Sequence, residues 1–175
     1  LVYGTREDKL PYMRPFMKTL SGVDLNELAS RDPLAGWSDD GTLLTALLGD
    51  QRTAPVDATV AALRQGAGVD DVLDVVVQAV SERMLRYDIS GEFDFADDFG
   101  WLDITHGITY AHAVRWHHDA ALAGGADAAS ADLVRLTFFT AFLAHWTGRH
   151  EWHTSVGPRA DIEPLAADVE TYGDE

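Results

Sequence analysis

The sequence predicts an all-α fold: one compact domain of several helices with a buried helix pair at its centre. Three observations carry this. Apolar residues recur at the helical period over 69–88, 101–123 and 131–147. No stretch alternates with period two between hairpin turns. And 46% of the 175 residues are apolar, enough for one ordinary domain with a real core.

Composition narrows the function classes. The chain has no cysteine, which excludes disulfides, thiolate metal ligands, a cysteine nucleophile and a cysteine-held iron–sulfur cluster. A formal charge of −16 opposes contact with nucleic acid, whose phosphates would be repelled. No apolar run reaches the roughly 18 residues of a membrane span, so no transmembrane segment is expected, and a soluble cytoplasmic protein is.

Taken in order, Leu10, Met13, Met17 and Leu20 fall at helical spacing, with Pro15 set to kink a longer helix there. A short piece follows over Val23–Ala29. Ser38 is the expected cap of a helix running through Leu48 and ended by Gly49. Thr53 or Pro55 opens the next helix, and Gly66 or Gly68 closes it. Residues 1–66 thus read as a subdomain of short helices, and 69–156 as the core helices of the same domain.

VDDVLDVVVQAVSERMLRYD is a helix by its length and period, with Val69, Val72, Leu73, Val76, Val80 and Met84 on one face and two aspartates at its positive end. Arg83 lies near that face. It is expected to snorkel to the surface, the alternative being burial against a carboxylate such as Asp103. ISGEFDFADDFG then breaks the pattern. It lacks the spacing of a calcium loop and reads as a loop pinned by its phenylalanines.

Trp101–Ala123 holds four of the seven histidines and two of the five tryptophans. Its expected inner face carries Trp101, Leu102, Ile104, Ile108 and Trp116. The i, i+4, i+7, i+11 series Thr105, Thr109, His112, Trp116 then turns His112 inward as a structural residue, satisfied by the two threonine hydroxyls. His106 and His117 stand on an edge stripe with Tyr110. Gly124-Gly125 is a turn, Ser130 a cap, and the helix after it is apolar nearly all round, as suits the middle of a domain. His145 lies on its stripe of Val134, Phe138 and Ala141. From Gly157 the chain reads as an acidic tail.

Asp103-x-x-His106 sets a carboxylate and an imidazole on one helix face, the half-motif of paired-metal bundles. With a single such pair a mononuclear site is the simpler expectation, drawing on Asp103, His106, His150 and His153. His112 and His145, if they faced each other across the core, could ligate haem iron axially. Without a metal, Asp103 could orient His106 as a general base. No nucleophile elbow or phosphate loop is present.

The segments AALRQGAGVDDVLDVVVQAVSERMLRYD and GWLDITHGITYAHAVRW resemble helical domains of Rieske-associated and questin-oxidase-like proteins, over roughly residues 57–147. The resemblance implies an all-helical redox component, an oxidoreductase or its accessory subunit, with Asp103, His106 and Tyr110 as the residues that match. The Rieske cluster motifs themselves are absent. The first helix–loop–helix also resembles AhpD-like peroxidase folds, without their Cys-x-x-Cys. The competing expectation is a non-catalytic acidic scaffold, bound to a larger, hydrogenase-linked partner or to its own copies.

Overall fold

The computed structural model describes residues 13–87, 101–125 and 129–150, with the side chains of Arg149 and His150 outside that set. The described residues form seven α-helices and a closing 3₁₀ turn: α1 Met13–Leu20, α2 Leu25–Ala29, α3 Thr42–Leu48, α4 Ala54–Arg64, α5 Val69–Arg86, α6 Trp101–Ala123, α7 Ala131–Trp146 and the turn Thr147–His150. The fold is all-α. None of these helices is long and apolar enough to cross a membrane. The 89–100 loop, His153 and the acidic tail lie outside the described residues.

Local chemistry sets the helix ends. α1 starts at Met13, so Pro15 falls in its first turn, where a missing N–H costs nothing. Asp24 caps α2 by accepting from the Asn26 and Glu27 amides. The start of α3 departs from expectation. Asp39 accepts from the Leu43 and Leu44 amides and Asp40 from Thr42, so two carboxylates perform the capping assigned to Ser38. A carboxylate reaches two amides at once and complements the dipole, which a hydroxyl does not. Gly66, at φ +99°, ends α4, and Ser130 caps α7 through the Leu133 amide.

α7 is the hub, packed against α2, α3, α4, α5 and α6. Its Phe138, Ala141 and Phe142 are buried, and Phe142 and Phe139 enclose the Phe16 ring of α1 at centroid distances of 4.5 and 5.2 Å. Residues from the short helices, among them Leu28, Leu47 and Val56, belong to the same core as Val76 and Ile104. α5 and α6 run antiparallel. Arg115 meets Asp74 at one end, Gly107 abuts Val80 in the middle, and Trp101 stacks edge-on against Tyr87 at 5.5 Å.

Arg83 does not snorkel to the surface. It is 1% exposed; its Nε donates to the Ala144 carbonyl at 2.5 Å and its Nη2 to the Leu47 and His145 carbonyls at 2.6 and 3.3 Å. These are carbonyls at the C-terminal ends of α3 and α7, left open by the helices' own ladders. The planar guanidinium thus ties together the negative ends of two helix dipoles. Gly148 makes room for it, because a Cβ there would overlap the guanidinium.

Candidate functional site

The face of α6 that turns inward is Ile104, Gly107, Ala111 and Val114. This corrects the sequence expectation. Leu102 and Trp116 are 69% and 62% exposed, and His106, His112 and His117 stand on the solvent side with them. The Thr105 and Thr109 hydroxyls donate to carbonyls of their own helix, Leu102 and Thr105, and so do not satisfy His112. His112 is therefore no structural core residue, and a loss of stability on its replacement is not expected. Asp103 and Tyr110 are half-buried, and burial pushes the Tyr110 phenol above its ordinary range.

His145 is interior, as its stripe predicts, at 9% exposed. It sits at the α7 end beside Arg83 and the Ala46–Leu47 backbone, while His112 faces outward from α6. The axial haem pair is thus not assembled. Asp103 and His106 gather no third ligand among the described residues, and the side chains of His150 and His153 lie outside them.

Burial, with the Arg83 charge second, lowers the His145 imidazole below 6.5. The unfolded chain then binds a proton that the folded chain refuses. Stability is full above about pH 6.5 and falls as pH drops from there toward the lowered folded value. Thermal melts between about pH 7.5 and 5.5 should decline more steeply for the wild type than for His145→Gln. Parallel declines would contradict a neutral, buried His145.

The structure does assemble a site, at the other end of α6. His118 continues the inner stripe one turn beyond Val114, and its Nδ1 lies 3.1 Å from Oδ2 of Asp70 in the first turn of α5. The His118 side chain is 12% exposed. Nδ1 and the second Asp70 oxygen, Oδ1, are both buried, and neither has a hydrogen-bond partner among the described residues. Asp119, exposed, brings a third donor, and ligand atoms of all three residues lie within 4.8 Å of one another. Arg115 pairs with Asp74 at 2.6 Å, donates to the Asp70 carbonyl at 3.4 Å and stands 4.0 Å from Asp70 Oδ1.

Beside this cluster opens a cavity of about 410 Å³ where α2, the 31–36 loop, the end of α4, the start of α5, the end of α6 and the start of α7 converge. Leu28, Leu63, Leu122 and Val134 supply apolar wall, and Asp70 and His118 lie on its lining. An apolar cleft with a few converging polar groups is the usual form of a small-molecule site. The chain matches no protein-family model, no curated protein and no solved structure. Function is therefore argued from the site itself.

Sequence reading passed over His118. Its signal was the i, i+3, i+7, i+10, i+14 series Ile104, Gly107, Ala111, Val114, His118. Two members of that series are too small to register as an apolar face.

Proposed function

We propose that the protein binds a divalent transition metal through Asp70, His118 and Asp119, beside a cavity that admits a small organic ligand. The observation that carries this is the convergence of ligand atoms of Asp70, His118 and Asp119 within 4.8 Å of one another, with His118 Nδ1 and Asp70 Oδ1 buried and making no hydrogen bond. A cation satisfies both at once and offsets the local excess of acid. One imidazole and two carboxylates, with no thiolate, suit Fe²⁺, Mn²⁺ or Zn²⁺. Three protein ligands leave coordination positions for water or substrate on the cavity side. The bound ion would supply Lewis-acid or one-electron chemistry there. This chain's own residues hold the ion and exclude water from the apolar wall. The proposal retains an oxidoreductase or its accessory subunit as the class of function to be tested, with the metal at the far end of α6 from Asp103 and His106.

Titration of the metal-free chain with Mn²⁺ and Zn²⁺, followed by calorimetry, tests this. One equivalent is expected to bind the wild type. His118→Ala should weaken binding by roughly 10–100-fold or more, as loss of a ligand does at least what loss of a supporting group does. His106→Ala should bind like wild type. No stoichiometric binding, or equal affinity in His118→Ala, would sink the proposal.

A second reading, a non-catalytic acidic subunit of a larger and hydrogenase-linked assembly, is favoured by the exposed tryptophan and leucines of α6. Elemental analysis and a visible spectrum of the purified protein separate the two.

A further inference from the structure

Five ionisable side chains meet where the start of α5 faces the end of α6: Asp70 and Asp74 from one helix, Arg115, His118 and Asp119 from the other. The metal reading uses three of them. Asp74 and Arg115 remain, and their geometry ties them to the same site. Arg115 Nη2 donates to Asp74 Oδ1 at 2.6 Å and to the Asp70 carbonyl at 3.4 Å, while its Nε stands 4.0 Å from Asp70 Oδ1. That oxygen is buried and makes no hydrogen bond among the described residues. A guanidinium thus waits just outside hydrogen-bonding reach of a metal ligand, held there by another carboxylate.

Spacing explains the arrangement. Asp70 and Asp74 are four residues apart on α5, so their carboxylates share one face, one turn apart. A guanidinium reaching across from α6 can pair with either. Resting on the metal reading above, we propose that Arg115 is a built-in competitor of the metal ion and that Asp74 is the latch holding it off. While Arg115 is paired with Asp74, Asp70 Oδ1 is open to the ion. Once Asp74 loses its charge, the guanidinium closes the last gap of about 1 Å to hydrogen-bond length and occupies that oxygen. The two cations then exclude each other, because like charges so close repel strongly. Neither residue touches the ion; both are positioning residues that set how readily the site loads. Such a device has a use in a chain of −16, whose surface attracts divalent cations without discrimination.

Calorimetric titration of the full chain and three variants with Mn²⁺ tests the latch. The Arg115 and Asp74 side chains are 35% and 68% exposed, so their substitution should leave the fold intact, which a circular dichroism spectrum checks. Arg115→Gln should tighten Mn²⁺ binding about tenfold, since a repelling charge a few ångströms away is gone. Asp74→Asn should weaken it about tenfold, as loss of a supporting group outside the ligand set does. The double variant decides. With no guanidinium to release, Asp74→Asn has nothing left to act on, and the double should bind like Arg115→Gln alone. A double variant back at wild-type affinity would mean that the two charges act additively through space, and the latch would be overturned. Weaker binding in both single variants would overturn it too, by making the pair only a brace between α5 and α6. Equal Mn²⁺ affinity in all four proteins sinks the latch and leaves the metal reading standing. Mn²⁺ bound by none of them sinks both.

Discussion

Arg83→Met is expected to destabilise the fold by about 3–5 kcal/mol, the usual cost of removing one side of a buried charged interaction. The guanidinium is the donor for three carbonyls at the ends of α3 and α7, and methionine fills its volume with no donor. Each bond from a charged donor contributes about 1.5–3 kcal/mol, and although Thr147 also donates to the Ala144 and His145 carbonyls, the bonds from the guanidinium are lost. Against this stands the energy recovered by no longer burying a cation. Removal loses on balance, because the carbonyls stay behind. For a chain of this size the melting temperature should fall by roughly 6–20 °C. Arg83→Lys should land between, since an ammonium keeps the charge but cannot span two helix ends with a planar fork. Urea melts of the three proteins measure this. A methionine variant within about 1 kcal/mol of wild type would show that the two helix ends do not depend on the bridge.

Gly107→Leu should cost about 3 kcal/mol, at the upper end for an overpacked core, because α5 and α6 touch at this residue. A Cβ at Gly107 would stand 2.8 Å from Val80 Cγ2, inside contact distance, and Val80 is 0% exposed. Gly107→Ala sets two effects against each other. Alanine gains about 1 kcal/mol of helix propensity over glycine. Displacing Val80 costs about 1–3 kcal/mol in a packed core. A net loss is expected. Adding Val80→Ala should relieve the overlap, so that the two substitutions couple by about 0.5–3 kcal/mol in a double-mutant cycle. If Gly107→Ala stabilises by the full propensity gain, the close approach of the helices is refuted.

These two sites also mark where sequence reading succeeded and where it stopped. α5 was legible because most of its valines and Leu73 lie on one side and its charges other than Arg83 on the other, so only one rotation of the helix buries the apolar set. α7 was legible as the hub because it is apolar on every side, and a helix with nothing to show to water has no other place to go. His145 followed from that stripe. The short helices were legible through their proline, glycine and aspartate punctuation, though Asp39 and Asp40 displaced Ser38 at one cap.

α6 was legible as a helix and not in its rotation. It carries large apolar groups around its whole circumference, so the periodic signal singles out no face. Sequence weight favoured Trp101, Leu102 and Trp116 for the interior. Packing chose Gly107 and Ala111, because small residues let α5 come close enough for Val80 to seat against the backbone, and whole-helix contact outweighs burial of a few large rings. That rotation turned His106 and His112 to solvent and brought His118 onto Asp70, 48 positions earlier in the chain.

The sequence alone therefore determined the class of fold, the main helices and the absence of thiol chemistry, since each follows from residue type and local spacing. Only the tertiary structure decided which side of α6 is inside, where Arg83's donors go, and which histidine meets a carboxylate. Those depend on distances between elements far apart in the chain, and no local pattern encodes them.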